Sequence, residues 1–197
     1  MSPTDTDIPD ARPDTHPDTR TARREDQRAT VLSAATRLLA REGRAGLSAR
    51  KLAQEAGCST KIIYSHFGGM PGVVAQLYAA AFADLADRMR EAGTDLPPSE
   101  RLRAMARAYR AFLLARPDRA ALMYGTPITE LAPRPDQRAA AISSLDLYVE
   151  AFAASGHDDP RRAAYAFWAA THGCVALELS GWLGGPDIFE SVLARQL

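Results

Sequence analysis

Residues 58–69 read CSTKIIYSHFGG, that is Cys58-Ser59-Thr60-Lys61-Ile62-Ile63-Tyr64-Ser65-His66-Phe67-Gly68-Gly69. The stretch is short, opens on polar residues, and ends on a double glycine, so it is no ordinary core helix. Ser59 is placed as the N-cap of a helix over 60–67. Just upstream, Ser48 can cap a helix over 49–56, and Gly57 supplies the left-handed residue that stops it. Two short helices joined by a tight turn containing glycine form a helix-turn-helix arrangement. Leu52, Ala53, Ala56, Cys58, Ile63 and Phe67 fall on the inward side. Thr60, Lys61 and Tyr64 fall on the outward side.

The chain on either side reads as helix. Val31, Leu32, Ala35, Leu38 and Leu39 recur at helical spacing, and Gly43 marks the stop. Residues 1–22 hold four prolines and five aspartates with one large apolar residue, Ile8, so they are expected to be a disordered tail, with order beginning near Arg23. Beyond Pro71, Val74, Leu77, Tyr78, Ala81, Phe82, Leu85 and Met89 line one face of a helix ending near Glu91. Ser99 is expected to cap the next, which carries Leu102, Met105, Ala106, Tyr109, Phe112 and Leu113. A short helix from Asp118 to Tyr124 ends at Gly125, and a proline-rich loop follows through Pro127, Pro133 and Pro135. Long helices over about 136–154 (with Ile142, Leu145, Tyr148, Val149 and Phe152) and 160–182, then a last one over 186–196, complete the chain. No segment alternates with period two. The expected fold is all-α, about nine helices, with a three-helix head at 23–70 and a helical body at 71–197.

Composition narrows the function. The 197 residues are 46% hydrophobic and 24% charged, as in a globular protein. No apolar run approaches the ~20 residues of a membrane span, and no apolar signal core opens the chain. Cys58 and Cys174 form no disulfide or metal pattern, which fits a cytoplasmic location. No common metal, nucleotide or nucleophile signature is present, so neither a cofactor nor catalysis is expected. Formal net charge is zero, yet residues 23–70 carry nine cationic against four acidic side chains, a local +5. Such a patch is the electrostatic footprint of phosphate binding, or simply a solvated positive face.

The motifs carry a family resemblance. Leu47-Ser48-Ala49-Arg50-Lys51-Leu52-Ala53, Ala56-Gly57-Cys58-Ser59 and Ile63-Tyr64-Ser65-His66-Phe67 resemble the DNA-binding domain of TetR/AcrR-family regulators. Trp168, His172 and Gly173, with Leu122-Met123-Tyr124-Gly125 before them, resemble the Trp-His-Gly ligand-binding half found in part of that family. The resemblance implies that Ser48 and Arg50 touch DNA, that Thr60, Lys61 and Ile62 set the operator sequence, and that Tyr64 and His66 contact phosphate. Ser59 leaves free amides near a phosphate. Ile62 is open between a thymine methyl and partial burial. Most members have a lysine near the start of the fourth helix, where this chain has Met70-Pro71-Gly72.

In the second half, Met105, Tyr109, Phe112, Tyr124, Tyr148, Trp168 and His172 could line one ligand cavity, or simply fill a core. His172 is open between ligand contact, core and an interhelical hydrogen bond. Glu178 is open between a cationic ligand and an arginine across a dimer, and His157 is expected to be solvated. The resemblance implies a homodimer through the last two helices, a palindromic double-stranded DNA operator, and release by a small-molecule effector. A small helical enzyme or carrier, or an interaction module that does not bind DNA, are the competing readings.

Overall fold

The computed structural model describes the backbone of residues 16–125 and 135–197, and the side chains of 21–125 and 143–197. All of its regular structure is helical. In order these are α1 His16–Glu42, a 3-10 turn Arg44–Gly46, α2 Ala49–Ala56, α3 Thr60–Phe67, α4 Met70–Ala92, α5 Pro98–Ala115, α6 Pro117–Tyr124, α7 Pro135–Ala154, α8 Pro160–Leu179 and α9 Asp187–Gln196. Among the described residues no helix is long and apolar enough to cross a membrane.

Two cores organise these helices. The smaller gathers Val31, Ala34, Ala35, Leu38 and Leu39 of α1, Leu52 and Ala53 of α2, Ile63 and Phe67 of α3, and the start of α4. Those spacings put one apolar stripe on each short helix, and helices of eight residues are held by such packing rather than by propensity. The larger core joins α4 through α9 around Phe82, Leu85, Met89, Tyr109, Tyr148, Phe152 and Phe167. Helix α6 belongs to both. Its Leu122 is buried in the small core and its Met123 in the large one.

Several expectations need correction. α1 begins at His16, seven residues ahead of Arg23, with Pro17 in the first turn, where a missing N–H costs nothing. The rest of the anticipated tail, including Ile8 and Arg12, lies outside the described residues, as do the Pro127–Pro133 loop and the side chains of Arg20 and Ile142. Ser99 does not cap α5, which starts one residue earlier with Pro97 at the N-cap, because Pro98 is itself a good first helical residue. α8 ends at Leu179 rather than near Trp182, since Gly181 takes φ 78° and turns the chain. Glu178, left open between a ligand and an arginine across a dimer, pairs instead with Arg110 of its own chain, because α5 and α8 pack side by side.

Candidate nucleic-acid interface and aromatic cluster

The opening stretch folds as a helix with two distinct faces. Ile63 and Phe67 are buried in the small core, while Thr60, Lys61 and Tyr64 stand in solvent, Tyr64 at 62% exposure. The double glycine has a steric role at each position. Gly68 takes φ 70°, the left-handed C-cap of α3. Gly69, at φ 97°, lies under the Tyr64 ring, 3.3 Å from where a Cβ would sit, so a larger residue would push the tyrosine aside. Ile62 is half-buried against the small core.

Of the other head residues, Ser48 is exposed and its Oγ accepts from the Lys51 amide at 3.3 Å, capping α2. Ser59 stands at the N-cap of α3 but makes no side-chain capping bond, which leaves its hydroxyl free. Arg50 is exposed in the first turn of α2. His66 is half-buried, with a shielded Nδ1 that has no hydrogen-bond partner.

The basic block is not uniform. Glu55 takes Arg37 at 3.1 Å and Arg41 at 2.9 Å, and Glu42 takes Lys51 at 2.6 Å and Arg41 at 3.1 Å. Hydrogen bonds from Arg41 and Arg37 hold the Glu55 carboxyl below its usual range, and those from Lys51 and Arg41 do the same for Glu42. These exposed pairs spend three cations locally. Two more arginines brace the reading helix: Arg24 donates to the Ser65 carbonyl at 3.3 Å, and Arg28 donates to that of His66 while lying 4.8 Å from the Phe67 ring centre. Both stabilise the negative end of α3. Arg50 and Lys61 make no ion pair among the described residues, so their charge is free for a phosphate or base edge. Arg24 and Arg28 were the residues that sequence reasoning counted only as charge. Their four-residue spacing on one face of α1 was the available signal.

The body holds an aromatic network. Tyr124 lies 4.6 Å from His172, 5.5 Å from Phe82 and 6.3 Å from Trp168, ring centre to ring centre, and Trp168 stacks on His172 at 5.4 Å. The Tyr109 hydroxyl sits at its hub, 2.7 Å from His172 Nδ1 and 3.3 Å from Trp168 Nε1. An indole N–H can only donate, so Tyr109 accepts from Trp168 and shares a further hydrogen bond with His172 Nδ1. Burial lowers the His172 pKa, which favours the neutral ring. The interhelical hydrogen bond is therefore one role His172 fills. Tyr148 is buried against Phe167 at 5.1 Å, and among the described residues its hydroxyl has no partner. Desolvation drives the pKa values of Tyr109, Tyr124 and Tyr148 upward, so all three stay protonated.

Four of the seven anticipated lining residues thus meet: Tyr109, Tyr124, Trp168 and His172. Tyr148 is buried in the same large core, against Phe167. Phe112 carries Arg88 over its ring at 5.7 Å, and Met105 packs beside Gly93, so both are core residues elsewhere on α5. Phe82 is the member that the sequence reading assigned to core alone. His157 is exposed, as expected, with Phe152 at 4.8 Å.

Comparison with known proteins adds an independent line. The family model described as "Bacterial regulatory proteins, tetR family" matches residues 31–77, and "Tetracyclin repressor-like, C-terminal domain" matches residues 102–197. The HTH-type transcriptional regulator Rv1816 of Mycobacterium tuberculosis (strain ATCC 25618 / H37Rv) is 32% identical over 119 residues, which are 59% of this chain and 51% of the relative. The match thus spans about half the length of that curated relative. A solved structure of a protein with unknown function from Rhodococcus sp. RHA1 superposes with a TM-score of 0.73 at 29% identity, covering 86% of this chain and 91% of the other. The TetR family transcriptional regulator PfmR from Thermus thermophilus shares the fold, with a TM-score of 0.61 at 20% identity over 84% and 94% of the two chains.

Proposed function

Because this chain belongs to the TetR family of bacterial regulatory proteins, we propose that it is a repressor that binds a palindromic operator as a homodimer and leaves it when a small molecule binds. The observation that carries the reading is α3 itself. One face is buried and the other presents Thr60, Lys61 and Tyr64, with Arg50 unpaired on the neighbouring helix. A helix that enters the major groove needs small polar and cationic side chains near its first turn, and this is the composition there. Ser48, Ser59 and His66 are placed around it for phosphate contacts. The lysine absent near Met70 is offset by the amides at the start of α4.

A dimer doubles the site read and gives it two-fold symmetry. Its support here is a set of exposed apolar side chains on the last helices: Tyr165, Leu177 and Leu179 of α8, Trp182 beyond it, and Ile188 of α9, with Trp182 at 80% exposure. Ala166, Ala169 and Ala176 are exposed on the same helix, so two copies of α8 can approach closely. The effector belongs in the neighbourhood of Tyr109, Tyr124, Tyr148, Trp168 and His172. None of these side chains is charged at neutral pH, so the effector is a neutral or weakly polar, lipophilic compound. Tyr124 is the α6 member of this aromatic cluster, and α6 reaches the head through Leu122. An effector that moves Tyr124 thereby moves the reading heads out of register, and operator DNA must weaken effector binding by the same factor.

The test is selection of bound duplexes from a random pool, with Lys61→Ala and Tyr64→Ala as controls. A palindrome recovered by the parent protein and lost by both variants is the expected result. Salt-sensitive binding without sequence preference would overturn the reading.

A further inference from the structure

A hollow of about 240 Å³ lies where α1, α4 and α6 meet, between the head and the body. Leu39 of α1, Leu77 of α4 and Leu122 of α6 wall it, and all three are buried apolar residues. Ala80, Asp84 and Arg119 stand at its edge. Asp84 accepts from Arg119 at 2.6 Å and from Arg88 at 2.9 Å. A neighbouring groove shares Asp84 and Arg119 and adds Arg88 and Arg116. Arg116 is engaged by Asp118 at 3.0 Å.

The charge at this place is unbalanced. Three guanidinium groups share two carboxylates, Asp84 and Asp118. Burial pushes both carboxyls up, but their arginine partners outweigh it and hold them below the usual range, so both are ionised. One positive charge is left over, next to a small apolar hollow. A cationic head group would meet net repulsion there. A carboxylate can instead share a guanidinium, whose planar fork of donors suits it.

We infer that this hollow is a second small-molecule site, which takes a monocarboxylate with a compact apolar body, its carboxylate on Arg119 and its body against Leu39, Leu77 and Leu122. The volume sets the size limit, since it falls below the roughly 300–1,000 Å³ of pockets for drug-sized ligands. An occupant touches α1 of the head and α6 of the body at once, so it fastens the two together. The regulatory consequence rests on the repressor reading, whereas binding itself does not.

Benzoate is the probe, titrated into the full DNA-free chain and followed by amide chemical shifts. Saturable shifts centred on Leu39, Leu77 and Leu122 are expected, with no saturable response to benzylamine, which has the same ring and the opposite charge. Ala80 is exposed, so Ala80→Leu narrows the mouth without entering the core. Arg119→Gln removes the cation and keeps a donor. Each is expected to weaken benzoate at least about tenfold, the scale of a lost charge-assisted hydrogen bond. Shifts that do not saturate, shifts centred elsewhere, equal binding of benzylamine, or folded variants that bind like the parent would each overturn the site. DNA enters none of these readouts, so the site and the repressor reading fail separately.

Discussion

Tyr148 is fully buried, and among the described residues its hydroxyl has no hydrogen-bond partner; an orphaned group of that kind costs about 1–3 kcal/mol. Tyr148→Phe should therefore raise stability by about 1 kcal/mol, or the melting temperature by about 2–4 °C. A melting temperature that falls on losing the hydroxyl would show that the group is bonded after all. His172 makes a second prediction at this scale. Its pKa is lowered by burial, so the folded state resists protonation that the unfolded chain accepts. The stability it supports is complete above the ordinary histidine value of about 6.5 and declines as pH falls from there through the lower folded value. Melting scans between about pH 7 and pH 5 should show that decline, and His172→Gln should flatten it. Residue chemistry of this sort was only half legible beforehand. Trp168, Tyr109 and His172 stood out by type, but their hydrogen bonds needed two helices, α5 and α8, brought together.

At the level of elements, the junction of α3 and α4 is set by close approach. A Cβ on Gly72 would lie 1.7 Å from the Phe67 carbonyl oxygen, so the two helices touch backbone to backbone. Gly72→Ala must displace one of them. Head stability is expected to drop by more than about 1 kcal/mol, seen as faster amide exchange in α3, even though alanine is the better helix former. The sequence displayed Met70-Pro71-Gly72 only as a missing lysine, because nothing local says what the glycine faces. Helix α2 was readable in full from Ser48 and Gly57, since capping is a local property. The start of α1 at His16 was not, since a polar, proline-bearing composition argues for disorder while still permitting a helical turn.

Across the whole molecule, buried ions and exposed apolar groups report on assembly. The Arg110–Glu178 pair joins α5 to α8, with the Glu178 side chain 6% exposed. Glu178→Ala leaves Arg110 without its partner and should cost about 2–3 kcal/mol in a denaturant titration. Leu177 lies nearby on α8 at 45% exposure. Leu177→Glu should leave the fold intact and turn a dimer into a monomer by sedimentation, with operator affinity lost alongside. A variant that stays dimeric would move the interface elsewhere. The sequence by itself determined the all-helical class, the two short helices of the head and their inward and outward faces, because periodicity and capping act over a few residues. Only the tertiary structure decided which cations are free. Arg37, Arg41 and Lys51 look as available as Arg50 and Lys61 until α1 and α2 pack and bring Glu42 and Glu55 within reach. Likewise only packing reveals that α6 serves two cores and closes a hollow between them. Charge pairing and cavities depend on distances between segments far apart in the chain, and no local pattern encodes those distances.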